Sequence, residues 1–73
     1  MIKLDVIGII ERGDDAGSQV KVIDDSANTG GFLIITGKDL KNQQLEAFDD
    51  WVQNEHELQE FFKQSGWLIR WLS

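Results

Sequence analysis

Few side chains in this chain could act as a nucleophile, a base or a metal ligand, and their spacing assembles none of those chemistries. His56 is the single histidine and cysteine is absent, which excludes disulfides, thiolate catalysis and cysteine-ligated zinc. A general base needs a nucleophile held within hydrogen-bond reach. The serines (Ser18, Ser26, Ser65, Ser73) fall in predicted turns or at the last position, with no motif around them. His56 reads instead as a solvated residue in the first turn of a helix, where a cation would oppose the helix dipole. No catalytic residue is assigned, and the chain is read as a non-enzyme.

Carboxylates are more plentiful. Asp14-Asp15, Asp24-Asp25 and Asp49-Asp50 are adjacent pairs, and paired carboxylates are the ligands a hard cation such as calcium takes. No stretch follows the alternating acid–glycine–distal glutamate pattern of an EF-hand loop. The first two pairs lie where turns call for aspartate. No metal or other cofactor is therefore expected. Asp49-Asp50 is different, because it interrupts an aromatic segment. Gly31 to Lys38 (GFLIITGK) has the outline of a phosphate-binding loop but fails as one. Its glycines are one residue too far apart, Asp39 stands where Ser or Thr is required, and the spacer reads as a strand whose ladder would consume the backbone N–H groups.

What remains is an asymmetry of charge. From Asn42 to Phe62 there are six acids (Glu46, Asp49, Asp50, Glu55, Glu57, Glu60) and no lysine or arginine, with Phe48, Trp51, Phe61 and Phe62 interleaved. Acids around large aromatics can serve as a steering field with anchors for a basic partner. The plainer reading puts the aromatics in the core and the acids on the wet side of the same elements. Phe61 and Phe62 fit the plainer reading. Trp51 fits either, so Glu46, Asp49, Asp50, Trp51, Glu55, Glu57 and Glu60 are the candidate partner-binding residues.

The elements that must position them follow from periodicity. Ile2, Leu4 and Val6 alternate with Lys3 and Asp5, predicting a strand from Ile2 to about Glu11. Its second half, Ile7-Gly8-Ile9-Ile10, is apolar on both faces, so the strand becomes central there or Gly8 marks a bulge. Arg12 to Ser18 is a Gly/Asp turn, and Gln19 to Asp24 alternates as a second strand. After the loop Asp25–Gly30, the continuous apolar run Gly31 to Thr36 reads as a strand covered on both faces. Leu40 to Gln53 is ambiguous. Leu45, Phe48 and Val52 have helical spacing, yet Phe48-Asp49-Asp50-Trp51-Val52 also suits a short edge strand.

From Asn54 the signals agree. Asn54 is a helix cap with Glu57 three residues on, as in a capping box. Leu58, Phe61 and Phe62 form one apolar face, and Gly66 suits the left-handed stop. Trp67, Ile69 and Trp71 then alternate with Leu68, Arg70 and Leu72 as a final strand. The fold class is α+β: a small antiparallel sheet of four to five strands (β-β-β-[β or α]-α-β), with the helix packed on one face.

Composition bounds the rest. Seventy-three residues with 41% hydrophobic and 27% charged positions suit one small domain with a modest core. A net charge of −6 argues against nucleic acid, whose phosphates demand lysine and arginine. No apolar run approaches a membrane span, and Met1-Ile2-Lys3-Leu4-Asp5 is unlike a signal peptide. With no cysteine staples a cytoplasmic location is expected. The layout resembles many small acidic bacterial proteins, some of them thought to be immunity proteins or antitoxin-like inhibitors. The likeness is one of size, charge and element order and carries no diagnostic motif. The expected function is a non-enzymatic module that binds a basic protein. The alternative is a structural subunit, a homodimer for example, pairing through an exposed strand or the Trp67-Ile69-Trp71 face.

Overall fold

The computed structural model describes residues 2–73. Strands β1 (Ile7–Arg12), β2 (Gln19–Asp25), β3 (Gly31–Gly37) and β4 (Ala47–Val52) follow one another, then helix α1 (Glu55–Ser65) and strand β5 (Leu68–Trp71). The sheet order is β4-β3-β2-β1-β5, with every neighbouring pair antiparallel. This is the α+β class expected, with five strands and one helix. The first four strands form a meander. The helix carries the chain from one edge of the sheet, β4, to the other, β5.

Each strand alternates, so directly opposed residues share a face. The helix-side face holds the core: Ile10, Val20, Val22 and Ile34 are fully buried, and Val52 and Leu58 nearly so. Val22 opposes Ile34 across β2 and β3, and Ile10 opposes Ile69 across β1 and β5. From the helix, Leu58, Phe61 and Phe62 pack down on this face, and Ile2 joins them from the chain start.

The helix begins and ends where the sequence places its caps. The Asn54 side chain accepts the Glu57 N–H at 2.9 Å, and the Glu57 carboxylate accepts the Gln53 N–H at 2.9 Å. Two donors that the first turn leaves free are satisfied in this way. Gly66 takes the left-handed conformation (φ 67°) and donates to the Lys63 carbonyl. A further helix-end carbonyl, that of Ser65, accepts the Asp14 N–H at 3.0 Å. The Trp67 indole N–H reaches the Asp14 carbonyl at 2.6 Å. The β1–β2 turn is thereby clamped to the end of α1. Behind it, Phe62 meets the Trp67 ring edge-on at 4.9 Å and stacks on Trp71 at 6.4 Å.

Four expectations are corrected or resolved. The first strand starts at Ile7, not Ile2, because Asp5 adopts a left-handed backbone (φ 58°) that breaks the extended run. Its N–H still reaches the Val22 carbonyl at 2.8 Å, and Leu4 is exposed. Of the two readings of Ile7–Ile10 the first holds, since β1 lies between β2 and β5; the bulge is between Ile10 and Arg12, not at Gly8. Gly8 has another role: a Cβ there would lie 2.5 Å from Ile69 and 2.9 Å from the Trp71 ring, so the missing side chain makes room for the tryptophan. The ambiguous stretch 40–53 is a turn followed by strand. Asp39 and Asn42 side chains accept the Lys41 and Gln44 N–H groups, which draws the backbone into turns instead of a helix. β4 then pairs with β3 over six residues. Finally, β3 is fully covered on one face only; on the other, Trp51 and Leu40 cover its ends at Gly31 and Gly37 and leave the middle partly open. Ile34 is fully buried while Leu33 and Ile35 on the opposite face stay partly exposed.

Two substitutions test this account of packing and capping. Gly8→Ala overpacks the Trp71 contact and is expected to destabilise the fold by about 1–3 kcal/mol. Asn54→Ala removes the cap and is expected to cost about 1 kcal/mol. Urea melts with unchanged slopes and lowered midpoints would establish both; an unshifted midpoint for Gly8→Ala would contradict the close packing of Trp71 on β1.

Candidate functional site

The seven candidate residues gather along the β4 edge, but they do not share one face. β4 is an edge strand, and its alternation sends neighbouring side chains to opposite sides. Asp50 opposes Ile34 and Phe48 opposes Thr36, which places both on the helix side. Asp49 opposes Ile35 and Trp51 opposes Leu33, on the side without the helix. Asp49-Asp50 therefore straddles the sheet. Both large aromatics of the strand are exposed, Phe48 at 62% and Trp51 at 49%.

Trp51 is nevertheless held in place. Its indole N–H donates to the Thr29 hydroxyl at 2.8 Å. Its ring lies over Gly31, where an added Cβ would come within 2.8 Å of it. The loop Asp25–Gly30 that supports it is built by its acids. The Asp25 carbonyl accepts the Asn28 and Thr29 N–H groups, and the Asp24 carboxylate accepts the Ser26 N–H at 3.0 Å. Ser26, through its backbone and then its side chain, holds the Asp24 carboxyl below its ordinary value. This acid pair is turn chemistry that positions Trp51.

The remaining acids follow on α1. Glu55 and Glu57 stand in its exposed first turn and complement the positive end of the helix. Glu57 is also occupied as the capping acid. Glu60 lies two positions beyond the buried Leu58, turned away from the apolar face, and is half-buried. Glu46 precedes β4 and lines a pocket of about 310 Å³ with Leu45, Phe48, Thr36 and Ser18. That pocket exists because α1 runs diagonally, from the Val52 end of β4 to the Leu68 end of β5. The helix leaves the Thr36–Phe48 corner of its face uncovered. At the opposite corner Ile2, Phe62, Trp67 and Trp71 pack over the sheet and line a second pocket of about 500 Å³.

His56 is exposed in the first helical turn. Among the described residues no three His, Asp or Glu side chains converge as a metal site would require. No described helix is long and apolar enough to cross a membrane.

One set of surface residues was missed by the sequence reading. On the face away from α1, Ile7, Ile9, Ile23, Leu33 and Ile35 form an apolar field between Trp51 and Leu72, and all five are partly exposed. The signal was present as the apolar runs of β1 and β3, which predicted cover on both sides. The chain supplies a helix for one side only.

Trp51 being the most exposed of the three tryptophans, Trp51→Phe should remove the most acrylamide-accessible fluorescence and lower the Stern–Volmer slope. An unchanged slope would place Trp51 in a sheltered site and contradict this description of the β4 edge. No family model matches the chain, and no curated protein or solved structure is significantly similar to it, so its function has to be read from the geometry of this edge and these faces.

Proposed function

We propose that this chain is a non-enzymatic protein-binding module whose acidic β4 edge takes up a basic partner, in the manner of an inhibitor or immunity-type factor. The observation that carries the reading is the make-up of β4. One edge strand presents two exposed aromatics, Phe48 and Trp51, on opposite faces with Asp49 and Asp50 between them. Glu46, Glu55 and Glu60 extend the acidic rim, and no cation occurs from Asn42 to Phe62. Aromatic anchors supply contact area at little entropic cost, while the acids steer encounter. Trp51 is already fixed by Thr29, so little is lost in ordering it on binding.

The alternative, a subunit that pairs through an exposed strand or its Trp67-Ile69-Trp71 face, is less favoured: those side chains already pack against Phe61, Phe62 and Gly8 within the chain, and the exposed edge strand β4 carries Asp49-Asp50 at its middle.

The test is affinity capture from native lysate at low and high salt, followed by association kinetics with the captured protein. Asp49→Lys and Asp50→Lys together should slow association about tenfold or more at low salt, the effect shrinking as salt screens it. Unchanged capture by the folded double variant would refute the acidic edge as the binding surface.

A further inference from the structure

The sheet face away from the helix carries its own record of what covers it. Its rows read Arg70–Ile9–Gln19–Gly37–Ala47, then Ile7–Lys21–Ile35–Asp49, then Ile23–Leu33–Trp51. On β1 and β3 the outward positions are Ile7, Ile9, Leu33 and Ile35, as they would be on a buried face, while central β2 between them presents Gln19, Lys21 and Ile23. Sheets packed on one side only normally alternate apolar-in with polar-out. Here the outward positions of β1 and β3 are as aliphatic as the inward ones. A contiguous, partly exposed apolar field of this kind, bordered by the exposed Trp51 and Leu72, marks an interaction surface.

Lys21 says what kind of surface covers it. It stands on β2, the central strand of the five, in the middle row, with Ile7 and Ile35 as its cross-strand neighbours. Among the described residues its side chain makes no hydrogen bond or ion pair. Asp49 in the same row is two strands away, about 10 Å. Lys21 and Lys41 line a groove of about 370 Å³ together with Asp5, Ile7 and Gln19, and Asp5 forms an ion pair with neither lysine among the described residues. The 38–46 segment that contributes Lys41 is tied to this face, its Leu40 N–H donating to the Gln19 side chain at 2.7 Å. A surface that covered this face with apolar atoms alone would strand the Lys21 ammonium without water or a counter-charge.

A second copy fits badly for the same reason. Any two-fold arrangement that buries the whole face brings the two centres together, and Lys21 would confront its own equivalent in apolar surroundings. We propose that the open face docks a different protein, one that presents an apolar surface bearing a carboxylate at its centre to meet Lys21 and Lys41. The inference rests on the reading of this chain as a protein-binding module and adds the face used and the charge pattern of the partner. The acids of the β4 rim then meet basic groups around that patch, with Asp49 and Trp51 shared by rim and face.

The probe is the chain itself with its central charge reversed. Wild type and Lys21→Glu are each expected to sedimentate as monomers of 8.3 kDa, because like charges oppose at the centre of either pair. Mixed in equal amounts, they should form a dimer of doubled mass, since a carboxylate now faces Lys21. Ile35→Asp in both chains should abolish that dimer while the circular dichroism is unchanged. Lys21→Leu provides a second route: with the face wholly apolar, it should dimerise alone. A mixture that stays monomeric together with a monomeric Lys21→Leu would overturn the proposal. Dimerisation of the wild type alone, lost with Ile35→Asp, would also overturn it by making a second copy the occupant. No rim acid is altered in these mixtures, so they can dimerise even where salt-sensitive capture by the rim fails. The two failures are thus distinct.

Discussion

Everything in this molecule follows from one connection that must cross the whole sheet. β4 and β5 are opposite edges, separated by four strand spacings, about 19 Å. The eleven residues of α1 rise about 16 Å, so the helix can bridge the edges only by lying across the sheet. A helix about 10 Å wide shelters a diagonal stripe of a sheet some 20 Å tall. It covers one face, incompletely, and cannot touch the other. The aromatic residues near its ends answer that limit: Trp67 and Trp71 extend the cover over the β5 corner, and Gly8 leaves the space that Trp71 needs.

The connection also fixes how firmly the two ends of the helix are held. At its start Asn54 and Glu57 close a reciprocal cap, and at its end Gly66 and the Asp14 turn take up the free carbonyls. In a chain of this size a helix gains its stability from packing rather than propensity. Leu58 is the only fully sheltered residue on α1, with Phe61 and Phe62 half-buried. The caps and the clamp to the β1–β2 turn therefore stabilise a helix whose apolar face is short.

Sequence periodicity made the helix, the hairpin strands and the final tryptophan strand legible, because each carried two or more agreeing signals. Asn54, Glu57 and Gly66 agreed with the Leu58–Phe62 spacing. The 40–53 stretch carried conflicting ones: Leu45, Phe48 and Val52 match a helical period by accident, while ladder pairing with β3 decides the outcome. The start of β1 was misread because alternation in Ile2–Val6 says nothing of the left-handed Asp5. The acidic candidates were legible as a run but not as a surface, since strand alternation divides Asp49 from Asp50. The open face was hidden for a different reason. An apolar run announces that a strand is meant to be covered, not by which chain.

Viewed together, the exposed parts of the sheet share a feature that is hard to attribute to solubility alone. A bare edge invites pairing with another strand, and β4 carries Asp49-Asp50 at its middle, the usual defence against it. β5 is four residues long, lies beside a bulge, and bears Arg70 bound to Glu11. The apolar face bears Lys21 at its centre. Each surface on which two copies could match has a charge where the copies would meet. Such charges cost a monomer little, because water reaches them, and they weigh heavily only in the wrong complex. A chain that needed only to remain dissolved would place polar residues throughout the open face, as ordinary one-sided sheets do. Keeping five aliphatic residues there, with Gln19 and Lys21 as the polar residues of the central strand among them, preserves the driving force for association while removing the commonest competitor, another copy of itself. That combination is what specificity for a complementary partner requires.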